Sequence, residues 1–120
     1  MITRETLQDF FENTRNLRDE GRARFDIDGI CRWSYFFVDT SREKLARVGA
    51  FLDASGYEVV GFLEPDPQNE DQDTLYLRAD RIEKHTVDSL HERNQELYTI
   101  AEQFNVGDYD GMDVGAPDGP

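Results

Sequence analysis

The sequence predicts an α+β fold: a ferredoxin-like split β-α-β-β-α-β antiparallel sheet with an extra N-terminal helix. Three observations lead there. Arg32-Trp33-Ser34-Tyr35-Phe36-Phe37-Val38 is the densest aromatic run in the chain. Aromatic and branched side chains suit a pleated, mostly buried surface, so this run reads as the central strand. It passes directly into a helix-start signal in which Thr40 and Glu43 have capping-box spacing. Farther on, Thr74 to Asp80 alternates with period two after a loop without apolar residues other than proline. A strand running into a helix, then two strands, a helix and a last strand, is the split βαβ order.

Each element has its own signal. Thr3 is a candidate N-cap, and Leu7, Phe10, Phe11, Thr14 and Leu17 recur at helical spacing until Gly21 stops them. This is the extra helix, and it is expected to cover an edge or an end of the sheet. Phe25, Ile27 and Ile30 around Gly29 predict an extended lead-in or a bulge. A second helix is expected over Ser41 to Ser55, with Leu45, Val48, Phe51 and Leu52 inward and Gly56 as its left-handed cap. Tyr57 to Leu63 predicts the next strand, and Glu64 to Asp73 a solvent loop. Thr86 caps a third helix whose apolar stripe includes Asn94, placed at the edge of the stripe, and which Gly107 ends. Tyr109 to Val114 predicts the final strand. One domain over residues 1–115 is expected, with 116–120 a frayed tail.

Composition narrows the function classes. Thirteen basic and 26 acidic residues leave a formal net charge of −13. That balance fits either a solvated acidic surface or a basic partner, and it disfavours phosphate backbones and anionic membranes. No direct nucleic-acid or membrane partner is expected. Cys31 is the only cysteine, so no internal disulfide can form, and a buried structural thiol in a reducing compartment is expected. No apolar run reaches the ~18 residues of a membrane span, and no signal-peptide core is apparent. The expected location is the cytoplasm.

The search for chemistry yields no enzyme signature. His85 and His91 are six apart, whereas two ligands on one helix face need three or four, so no metal is expected and His85 reads as an exposed linker residue. The acidic loop lacks the calcium-loop spacing and glycine. No serine occupies a nucleophile elbow. The glycines at 107, 111 and 115 are interleaved with three aspartates, which would repel a phosphate. Neither a catalytic residue nor a cofactor is expected.

One resemblance adds to this reading. Ala101-Glu102-Gln103-Phe104 closing a long helix, followed by Tyr109-Asp110-Gly111, is similar to the C-terminal signature of the RraB family, regulators that inhibit ribonuclease E. Gly56-Tyr57-Glu58-Val59 resembles the family's second-strand start, and Met112 stands where the family tends to carry tryptophan. The resemblance implies a non-catalytic domain that binds ribonuclease E, or another basic protein partner, and modulates RNA decay. It directs attention to Asp108, Tyr109, Asp110 and Gly111 as partner contacts, with Glu64, Asp66, Glu70, Asp71 and Asp73 of the acidic loop beside them. For the first group the alternative is a strand whose Tyr109 packs the core. For the whole protein it is a small-molecule-sensing or dimerising module on the same fold.

Overall fold

The computed structural model describes residues 1–63 and 74–118. In it the elements run α1 (Arg4–Asp19), β1 (Cys31–Asp39), α2 (Arg42–Ala54), β2 (Glu58–Leu63), β3 (Leu75–Glu83), α3 (Val87–Gln103) and β4 (Asp108–Gly115). The strands form one sheet in the order β2-β3-β1-β4, antiparallel at every pairing. The predicted α+β class therefore holds, with three helices and a four-stranded sheet.

Alternation along β1 divides the sheet into two faces. Cys31, Trp33, Tyr35 and Phe37 are fully buried, and they meet the helices. Trp33 lies 6.1 Å from the Phe11 ring of α1, and Tyr35 lies 6.1 Å from Tyr57. At Gly49 of α2 an added Cβ would meet Val59 and Leu77 at 3.6–3.7 Å, so that helix packs close against β2 and β3. Leu7, Leu45, Leu52, Leu90 and Leu97 are among the other buried side chains of this core. Burying such side chains contributes about 1.5–3 kcal/mol each. The extra helix α1 sets Phe11 over Trp33 on the helical face, and a groove separates it from the end of the edge strand β4.

The helix ends follow local chemistry. Thr3 caps α1 by accepting from the Thr6 N–H, and Gly56 takes the left-handed position after α2, as expected. Three expected boundaries move. Ser41, not Thr40, caps α2, accepting from the Lys44 N–H at 3.2 Å. The Asp39 carboxylate accepts from both the Ser41 N–H and the Gly107 N–H at 2.8 Å, which sets the turn one residue later. Glu43 pairs with Arg47 instead of reaching back to a cap. At the end of α3, Asn105 adopts the left-handed conformation (φ 56°) two residues before Gly107. Its short amide side chain tolerates that region. Strand β3 extends to Glu83, beyond the expected limit at Asp80.

Candidate partner-binding surface

Strand β4 brings the predicted C-terminal group to one sheet edge but divides it. Asp108 and Asp110 are exposed, while Tyr109 and Gly111 are buried. Tyr109 faces the helices. Its ring lies 5.4 Å from Phe37 and 5.1 Å from Tyr98, and its hydroxyl donates to Asn94 Oδ1 at 2.6 Å. Burial raises the Tyr109 pKa, so the phenol stays protonated and available as that donor. Asn94 is fully buried, not at the edge of its stripe. Partial burial and then the Asp108 charge push the Asp110 carboxyl upward. Glu64, Asp66, Glu70, Asp71 and Asp73 lie outside the described residues.

The second face of the sheet carries no helix among the described residues. The pairings set its side chains in rows across the strands: Leu63, Tyr76, Val38 and Asp108; then Gly61, Arg78, Phe36 and Gly111; then Glu58, Asp80, Ser34 and Asp113. Asp80 is buried beneath its neighbours at 1% exposure. Arg78 grips it with two bonds of 2.9 and 3.0 Å, and Arg32 Nη1 adds a third at 2.9 Å while also reaching Glu58 at 2.7 Å. Burial pushes the Asp80 carboxyl up, but bonds from Arg78, Ser34 and Arg32 outweigh it and hold the pKa below the usual range.

Both edge strands are interrupted. The β2–β3 register shifts between Val59 and Gly61, and the β1–β4 register between Phe36 and Phe37. Gly61 (φ 135°) and Gly111 (φ 124°) sit at these bulges in conformations that side chains disfavour. A bulged edge is a poor template for another strand.

On the helical face a buried polar cluster joins β1, β3 and α3. The Glu83 carboxylate accepts from Tyr35 and from Arg93 Nη2 at 2.6 Å, with His85 Nε2 at 2.8 Å. A carboxylate can only accept, so Nε2 carries a proton, and Nδ1 lies 2.9 Å from Ser89 Oγ. Burial drives the Glu83 carboxyl up, yet bonds from His85, Arg93 and Tyr35 prevail and lower its pKa to about 2. His85 is 5% exposed, so the expectation of an exposed linker histidine is corrected. Its ring packs edge-on against Trp33 at 5.1 Å. Ser89 also accepts from the Thr86 N–H, completing the capping box in which Thr86 is the N-cap of α3 and accepts from the Ser89 N–H. The Ser-His-Glu chain is therefore tied into the scaffold, without a free nucleophile.

A groove of about 910 Å³ runs between α1, residues 22–25 and the end of β4, lined by Phe10, Leu17, Phe25 and Val114. The buried Thr14 hydroxyl in its wall already donates to the Phe10 carbonyl at 2.7 Å, and Arg22, Arg24, Asp113 and Asp118 supply charge along its lining. Among the described residues, no three metal-capable side chains converge, and no helix is long and apolar enough to cross a membrane.

Sequence reasoning missed Asp80 and Glu83 as organising groups. The only local signal was the i, i+2 spacing of Arg78 and Asp80, which puts both on one face. No curated protein matches the chain. The family model for regulator of ribonuclease activity B matches residues 4–114, nearly its whole length. The chain therefore belongs to the RraB family, the regulators of ribonuclease activity B.

Proposed function

We propose that this protein is a non-catalytic regulator that binds ribonuclease E through an acidic surface and so modulates RNA decay in the cytoplasm. The family match over residues 4–114 is the observation that carries the reading. The net charge of −13 supports its electrostatic half, because an acidic protein is steered toward the basic, RNA-handling segments of a nuclease. Exposed Asp108 and Asp110 on β4 are the first contacts to examine, while buried Tyr109 and Gly111 would act by holding that strand in place. The acidic loop, Glu64 to Asp73, is proposed as a second contact on charge alone. We also read the strand order β2-β3-β1-β4 as the split βαβ plan, on which binding modules are common.

The test is a pull-down from the protein's own cell lysate at low and high salt. Recovery of ribonuclease E at low salt and its loss at high salt is expected. A bait that retains no ribonuclease at either salt would overturn the reading.

A further inference from the structure

We infer that the helix-free face of the sheet is the docking platform, and that its occupant is a basic protein segment that also carries apolar side chains. The inference rests on the reading of this chain as a protein-binding regulator and assigns the surface that does the binding.

Apolar contact area is the first argument. Leu63 is 39% exposed on this face, beside partly exposed Phe36, Val38 and Tyr76, and Ile82, 46% exposed, lies at its far end beyond the Arg78–Asp80–Arg32 network. Large apolar groups gathered on a face that carries no helix among the described residues mark interaction sites more often than scattered ones do.

Charge then selects the occupant. The two arginines of the face do not present free positive charge, because Asp80 lies between them and Arg32 is shared with Glu58. Asp80 is too buried to turn away. The charge left facing outward is negative: Asp108 and Asp113 line the β4 side. An apolar end of the face, built from Leu63, Tyr76, Val38 and Phe36 and bordered by the Asp108 carboxylate, complements a segment in which lysine or arginine flanks apolar residues. A second copy of this chain would bring another net charge of −13 against the first, and RNA would meet the same repulsion. The bulges in both edge pairings disfavour strand addition, so the partner is expected to lie across the face.

The test compares three double variants for binding to purified ribonuclease E by calorimetry at low salt, with thermal melts to check folding. Leu63→Ser with Ile82→Ser removes apolar contacts, and Asp108→Lys with Asp113→Lys reverses the border. Glu5→Lys with Glu12→Lys makes the same change in net charge on exposed positions of α1, away from the face. Each face variant is expected to weaken binding about tenfold or more, and the α1 variant about threefold or less. Amide shifts of the unmodified chain on titration should concentrate at Val38, Leu63, Tyr76 and Ile82, which keeps the inference testable if a variant misfolds. Binding that is intact in both face variants, equal losses in all three, or shifts confined to the helices would overturn the face and leave the regulator reading standing. Displacement of the same amides by a single-stranded RNA oligonucleotide would overturn the protein occupant. Failure of the unmodified chain to bind the ribonuclease would overturn the regulator reading and this inference together.

Discussion

Tyr109 donates its hydroxyl to Asn94 Oδ1 at 2.6 Å, and this bond joins β4 to α3 inside the core. The amide's other contact is weak, a 3.8 Å approach of Nδ2 to the Met112 sulfur. Tyr109→Phe would strand a buried acceptor, and a loss of about 1–3 kcal/mol is expected in urea unfolding. Asn94→Leu combined with Tyr109→Phe removes both partners and should cost less than the sum of the single changes. A double-mutant cycle giving strictly additive losses would show that the bond contributes nothing.

Glu83 predicts an acid limb in the stability profile. Its folded pKa of about 2 lies below its ordinary value of 4.5, so the stabilisation is fully present above about pH 4.5. It is lost as pH falls from there toward about 2. A single carboxylate with that shift contributes roughly 3 kcal/mol by linkage. Thermal melts across this window should show a declining Tm, and Glu83→Gln should both lower stability at neutral pH and flatten the decline. An unchanged slope in the variant would assign the acid limb to other carboxylates.

Asp80 is expected to be the costliest single change on the helix-free face. Asp80→Ala leaves Arg78 and Arg32 close together without their shared carboxylate, and removing one member of such a buried pair costs about 3 kcal/mol. Arg78→Ala, at a partly exposed position, should cost less. Chemical denaturation of the two variants decides the order, and the reverse ranking would remove Asp80 from the centre of the network.

Cys31 is fully buried, its thiol donates to the Asp26 carbonyl at 3.1 Å, and burial raises its pKa. The folded protein should react with a thiol reagent only as fast as it opens, and rapidly once unfolded in denaturant. Equal labelling rates in both states would contradict the burial.

The aromatic strand was legible because its alternation is physical: Trp33, Tyr35 and Phe37 face the helices as period two requires. Gly56 was legible for a similarly local reason. What escaped the sequence was set by distant partners. The Gly107 N–H reaches back to Asp39 and shifts the helix cap to Ser41. His85 looks like a linker residue until Tyr35 and Glu83 are brought to it. Arg32 meets Asp80 only because β1 and β3 are neighbours, and periodicity within a strand says nothing of which strand lies beside it. The candidate surface was legible in its charge, but the split between exposed Asp108 and buried Tyr109 depended on the register of β4.

Placing β1 between β3 and β4 also has a consequence for how the chain is made. Its two neighbours are synthesised after it, and the pairing Arg32↔Gly115 spans most of the sequence. During translation the Trp33-Tyr35-Phe37 strand must wait with at least one unpaired side until Asp108–Gly115 has left the ribosome. Closure of that long loop is slow, and an exposed aromatic strand is a target for aggregation and for chaperones. A nascent chain halted before β4 should therefore be held by chaperones, and one halted well beyond it should be released.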